Sequence, residues 1–275
     1  MKTSLLLAFA LSALSCFAQI KIPSASPTET IHQEFGLASI DISYSRPGMK
    51  GRKIFGDLVP FDKVWRTGAN GPTIITFGDE VIIGGKKIPA GKYGLLTIPN
   101  ASAWTIIITK QLDVNNPALY KAENDVVRVS APVQKLSSPV ETFTITISDV
   151  KQNTCLLNFA WDKTAVSLPI QTDIDTRIME EIDTAIIGKN PPYYAAAGYY
   201  FNNGKDLHKA EEWAVKATEQ SPDAYYMFYL LAQIEEKLGN KQGAITAANK
   251  SIELAKKVPN QDFITLNEKL LARLK

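Results

Sequence analysis

Between Tyr44 and Asn70 the chain gathers Arg46, Lys50, Arg52, Lys53, Lys63 and Arg66 against only Asp57 and Asp62. A guanidinium presents a fork of donors that fits carboxylates and phosphates, and Trp65 beside Arg66 adds a flat apolar face. Such a set can hold a sugar ring or a small anionic ligand, so Arg46, Arg52, Trp65, Arg66 and Asn70 are the candidate binding residues. The same residues have a structural alternative. Arg52 and Arg66 could tie down a long crossing loop by bonding its carbonyls and Asp57 or Asp62, with Trp65 plugging one end of the domain. The glycines and prolines of this stretch cost backbone entropy and ladder donors. Either a polar network or a bound ligand must offset that cost.

Other reactive chemistry is sparse. The two histidines, His32 and His208, fall in different parts of the chain. Neither has a second His or Cys at ligand spacing, so no metal centre is expected. There is no Gly-x-Ser-x-Gly elbow, no His-Glu-x-x-His and no phosphate-cradling Gly-rich loop, and no cofactor is implied. Carboxylates such as Asp57, Asp62 and Asp79 could still converge, but a catalytic pair is decided by separation in space. Three function classes therefore stay open: a ligand- or protein-binding module, which is preferred, a hydrolase of envelope glycans or esters, and a scaffold.

The elements that must position these residues are β-rich up to about Ile170. Ile40–Tyr44 alternates apolar and polar residues, as do Val126–Gln134 and Thr142–Asp149, and the apolar-rich runs at Thr73–Phe77, Val81–Ile83, Tyr93–Ile98 and Trp104–Thr109 read as further strands. Gly84-Gly85 is a hairpin turn signal. Cys155–Trp161 and Ala165–Ile170 read as two strands joined by a turn at Asp162-Lys163-Thr164, and Gln111–Asp125 as loop or a single helical turn. Eight to ten such strands without intervening helices predict an antiparallel sandwich or jelly roll.

At Thr172 the period changes. Thr172-Asp173-Ile174-Asp175 resembles a capping box, and Ile174, Ile178, Ile182 and Ile186 form one apolar helical stripe. Gly188–Pro192 is the expected stop, and the remainder reads as helical. Ala210 and Ala244 lie 34 residues apart, as do Gly198 and Ala232, Tyr194 and Phe228, and Ala217 and Ser251. Ser221-Pro222 reads as an N-cap with Pro at the first helical position. This spacing resembles tetratricopeptide repeats, as two helix pairs and a capping helix, although Glu235 stands where an aromatic is usual. Such repeats imply a peptide or protein partner. Trp213 and Tyr225–Tyr229 read as inter-helix core, and any exposed aromatic among them would be the informative exception.

The segment Tyr-Ser-Arg-Pro-x-x-Lys-Gly-Arg-x-Ile-Phe-Gly (44–56), followed by Leu-Val-Pro-Phe-x-x-Val-Trp-Arg-Thr-Gly-Ala-Asn (58–70), Gly-x-x-Ile-Pro-Ala-Gly-x-Tyr and Trp-Thr-Ile-Ile, resembles the uncharacterised DUF2911 family. The resemblance runs from about Pro27 to Ile170. It implies an exported β domain, mostly of Bacteroidetes-type bacteria, often followed by a helical tail, and brings no catalytic residues with it. Gly71-Pro72 departs from the Glu-Ala-like pair that commonly follows Asn70 in that family.

Met1-Lys2, an apolar run from Leu5 to Leu14 and Cys16-Phe17-Ala18 have the layout of a cleaved secretory signal. The run is shorter than the roughly 20 apolar residues a membrane span needs. Ala13 occupies the place where a lipobox would have Leu, so cleavage after Ala18 is expected rather than lipid anchoring. The formal charge of +2 falls to +1 once Lys2 is lost, which excludes an electrostatic nucleic-acid binder. Cys155 would then be the one remaining cysteine, without a disulfide partner. The expected architecture is multidomain β + α: a signal peptide at 1–18, an antiparallel β-sandwich or jelly-roll-like domain at 19–171, a connecting helix at 172–188 and a tetratricopeptide-like helical domain at 189–275.

Overall fold

The computed structural model describes residues 22–275, so the signal expected at 1–18 lies outside the described residues. Two compact units are formed, one ending at Ile174 and the other spanning Asp175–Lys275.

The first unit is built from two antiparallel sheets. Strands β1 (Thr28–Phe35), β2 (Ala38–Ser45), β3 (Thr73–Phe77), β6 (Gly91–Ile98), β7 (Ala103–Thr109) and β8 (Asp125–Pro132) form the larger sheet, in the order β1-β2-β3-β6-β7-β8. The smaller sheet orders β5 (Lys86–Ile88), β4 (Val81–Ile83), β10 (Thr154–Gln171) and β9 (Gln134–Ser148) as β5-β4-β10-β9. Alternation in the sequence is followed closely: Ile40, Ile42 and Tyr44 of β2 are buried while Asp41 and Ser43 are not. One core joins the inner faces, with Ile42, Ile75, Leu95 and Ile106 meeting Phe143, Ile145, Leu157 and Phe159. The two central strands β6 and β7 are covered on their outer face as well. There Leu96, Ile107 and Val114 make a second small cluster, with Val64 and Tyr120 packed against it. Segment 110–124, which contains two 3-10 turns (Pro117–Leu119 and Ala122–Asn124), forms part of this cover.

One expectation is corrected here. The two strands expected at Cys155–Trp161 and Ala165–Ile170 are a single strand, β10, and Asp162-Lys163-Thr164 is a bulge rather than a turn. Asp162 takes a left-handed φ of 50°. Opposite it the register slips: Asp162 pairs with Val140 and Thr164 with Lys135, so a long excursion of β9 faces a short step of β10. A bulge of this kind bends a strand and re-aims its side chains. Locally, polar residues with left-handed φ look the same in a bulge as in a turn.

The second unit has α1 (Asp175–Ile186), the pair α2 (Tyr193–Asn202) and α3 (Leu207–Gln220), the pair α4 (Tyr225–Leu238) and α5 (Lys241–Lys257), and a terminal α6 (Gln261–Arg273). Small residues at the 34-residue offset are sealed between helices: Ala210, Ala217, Ala232, Ala244 and Ser251 are all at most 1% exposed. Gly239 ends α4 with φ +80° as a left-handed cap, which glycine adopts without strain. α1 lays Ile178, Ile182 and Ile186 against the cluster of Ala196, Tyr200 and Leu230.

Two capping expectations fail. Thr172 donates its hydroxyl to Glu80 O at 2.9 Å within the β unit, and α1 begins only at Asp175. Ser221 ends α3 instead of starting α4, because Pro222-Asp223 occupy the middle of a tight turn closed by Ala224 N–H to Ser221 O at 3.1 Å.

Candidate binding site at one end of the sandwich

The crossing from Ser45 to Thr73 is held by main-chain pairing that its sequence hides. Met49 N–H donates to Glu141 O at 2.7 Å and Phe143 N–H to Pro47 O at 2.9 Å, extending β9 by a bridge at Gly48. Trp65 and Thr97 exchange bonds of 2.7 and 3.0 Å at the edge of β6. Along the crossing Lys50, Asp62, Thr67 and Asn70 all take left-handed φ, from 49° to 59°. For the β-branched Thr67 that conformation is a strained one. It is held by Thr67 Oγ1 to Thr97 Oγ1 at 3.2 Å and by Thr73 Oγ1 donating to Thr67 O at 2.6 Å.

The five candidate residues fall into this frame as follows. Arg46 donates from Nε to Phe143 O at 3.3 Å and from a terminal nitrogen to Thr144 Oγ1 at 2.9 Å, and pairs with Glu29 at 3.3 Å. Arg52 gives both of its bonds to the carbonyls of Met49 and Gly48, at 2.9 and 2.7 Å. Arg66 donates to Asn115 O, which fastens the 110–124 cover. Asn70 reaches Ser26 O at 3.2 Å and Ser45 Oγ at 3.3 Å. Trp65 is half-buried and donates its indole N–H to Gly68 O at 3.1 Å. It stacks on Trp161 at 5.9 Å and meets Phe143, Phe55 and Trp104 edge-on. Each of the five thus bonds main-chain or side-chain groups of the crossing or of the segments beside it. Tyr44 works beside them: its hydroxyl donates to Glu29 Oε2 at 2.5 Å and accepts the buried N–H of Ile145 at 2.8 Å. Burial and the neighbouring Glu29 carboxylate push its ionisation up.

The aromatic cluster backs an open concavity of about 400 Å³ at the same end. Phe55, Phe61 and Trp104 form its apolar walls, and Lys53, Lys135, Lys163, Asp162, Asn100 and Thr164 supply its polar groups. Each wall is set by a local device. Asp62 N–H donates to Pro99 O and Asn100 Nδ2 to Asp62 Oδ1, at 2.9 and 2.8 Å, which clamps the Phe61 turn to the β6–β7 connection. Gly56, with φ +83°, lets the Phe61 ring lie on its backbone, where a Cβ would stand 2.7 Å from the ring. The β10 bulge brings Asp162, Lys163 and Thr164 to the rim, and the slipped register sets Lys135 opposite Thr164. The Trp104 indole N–H beneath is sealed from solvent without a hydrogen-bond acceptor.

Sequence reasoning found Lys53 only as one cation among six and missed Phe61, Trp104, Lys135, Asp162 and Lys163. The available signal was the polar Asp162-Lys163-Thr164 break inside an otherwise apolar run.

Other groups carry less chemistry. His32 pairs with Asp41 across β1–β2 at 2.6 Å, and His208 lies on α3, 3.6 Å from Glu211. Among the described residues no group of three or more His, Cys, Asp or Glu could hold a metal ion. Cys155 is free and 2% exposed, and burial pushes its thiol up to about 11, which keeps it protonated and inert. In the helical unit Trp213 and Tyr200 are core, whereas Tyr194 and Tyr226 meet edge-on at 5.1 Å while 39% and 37% exposed.

No curated protein matches the chain. Among solved structures, a tetratricopeptide repeat domain protein from Salinibacter ruber is 21% identical, covering 30% of this chain and 91% of its own, with a TM-score of 0.28. The family model described as "Protein of unknown function (DUF2911)" matches residues 26–170. These residues are the β unit almost from end to end and more than half of the sequence, and the chain therefore belongs to the DUF2911 family.

Proposed function

We propose that this protein is a binding module without chemistry of its own, exported after removal of residues 1–18. In this reading the β unit receives a small ligand in the concavity walled by Phe55, Phe61 and Trp104. The helical repeats receive a peptide or protein through the exposed Tyr194–Tyr226 pair. Arg46, Arg52, Trp65, Arg66 and Asn70 act as the frame that holds the walls, and Arg46 and Arg66 in addition keep the crossing fixed on β9 and on the 110–124 cover.

The observation that carries the reading is the concavity itself. Its volume is that of a small-molecule site, its walls are apolar and its few polar groups converge from four separate segments. Hydrolysis by paired carboxylates is disfavoured because, among the described residues, only one carboxylate, Asp162, lines it. A glycosidase needs two, about 5–9 Å apart.

The test is a melting-shift screen of the full chain against neutral glycans, acidic sugars, small organic anions and short peptides. Stabilisation by at least one class is expected. A melt unmoved by every class at millimolar concentration would overturn the binding reading.

A further inference from the structure

From the chemistry of the end concavity, and resting on the binding reading above, we infer its ligand class: a small molecule that joins one oxyanion, carboxylate or phosphate, to a flat apolar ring. Three independent segments each bring one ammonium group to this rim. Lys53 comes from the crossing, Lys135 from the start of β9 and Lys163 from the β10 bulge. Against them stands only Asp162, so the rim carries a local excess of positive charge in a chain that is otherwise near neutral. None of the three lysines has a carboxylate within ion-pair distance among the described residues, whereas Lys87, Lys205, Lys216, Lys250 and Lys257 do. Their charges are left available, and an oxyanion is the group that three converging ammonium donors accept.

The apolar half of the ligand follows from the walls. Phe61 is 36% exposed, yet its ring is fixed on Gly56 and its turn is clamped to Pro99 and Asn100. An exposed aromatic held this firmly presents a flat face at little entropic cost. Trp104 lies beneath, buried among Phe55, Trp65 and Phe159. About 400 Å³ accommodates one ring with its substituents. Asp162, on a strained bulge backbone, would repel a second anionic group placed beside it and accept a hydroxyl. Selection for a single anionic group is the result.

Benzoate, phenyl phosphate and glucuronate serve as anionic probes, with benzyl alcohol and glucose as uncharged controls, in calorimetric titrations of the full chain at low salt. The expected result is binding of at least one anionic probe and weaker or no binding of its control. Affinity should fall about threefold for each of K53Q, K135Q and K163Q, as expected for exposed ion pairs, and should fall further as salt rises. Phe61→Ala should weaken the aromatic probes and leave the melt of the free protein within a few degrees. The lysines are exposed, so their variants fold and the comparison stands.

Controls binding as tightly as anions, or anion binding unmoved by all three lysine variants, would overturn this ligand class and leave the binding reading in place. No binding by any probe, charged or neutral, would overturn both. Preference for glucuronate over the two aromatic anions would overturn the flat apolar ring and with it this ligand class, and the reverse order would support it.

Discussion

Single residues in this molecule explain why charge alone is a poor guide to a binding face. Arg52 and Arg66 have the side chains a ligand site would use, yet they give their donors to Gly48, Met49 and Asn115 carbonyls. A crossing with four non-glycine residues at left-handed φ leaves main-chain oxygens that no strand satisfies, and a guanidinium is the side chain that reaches several of them at once. Glu235 is the inverse case, a carboxyl buried in α4 with Oε2 unpartnered and packed against Gly243. Burial first, and Glu211 second, raise its pKa above the ordinary 4.5, while Asn240 opposes them. A carboxyl with a raised folded pKa penalises the native state while it is charged. The penalty is full above the folded value, fades as pH falls through it, and is gone below about 4.5. Glu235→Gln should therefore melt higher than the parent at pH 7, and the gap should close as the pH of the melt approaches 4.5. The position was legible as a departure from the repeat pattern, but its burial was not, because a lone sequence does not reveal what packs against an α4 side chain.

Elements were read well where a period was long and badly where polar residues broke it. The apolar-rich runs placed the ends of β2, β3, β6 and β7 to within about two residues, and the 34-residue offset gave both helix pairs. Three local signals misled: the β10 bulge passed for a turn, Thr172 for a cap and Ser221 for a helix start. In each, a short polar side chain can bond its own backbone or a distant carbonyl, and the tertiary partner decides. The site was less legible than the fold, because its lining comes from the crossing, the β6–β7 connection, β7, β9 and β10, and only pairing across the sheets unites them. Pairing also defines a test of what holds the crossing. Tyr44 supplies the acceptor for the buried Ile145 N–H, so Tyr44→Phe leaves that donor unsatisfied. A loss of about 1–3 kcal/mol is expected, read as a lower denaturant midpoint with unchanged slope.

At the scale of the whole molecule, the formal charge is only +2, and the end concavity of the β unit gathers three lysines with one aspartate. Among the described residues no helix is long and apolar enough to cross a membrane. Export predicts a defined mature start: intact-mass measurement of protein recovered outside the cytoplasm should give a chain beginning at Gln19, and a full-length mass there would contradict cleavage. The arrangement of indoles has a further consequence. Trp65, Trp104 and Trp161 are crowded together under the concavity, two of them nearly parallel at 16°, while Trp213 belongs to the helical unit. Rings this close share their excited states, so the near-ultraviolet dichroism and emission of the β unit are collective properties of the trio. The molecule carries its own optical gauge at the place where a ligand would arrive, with no label to attach.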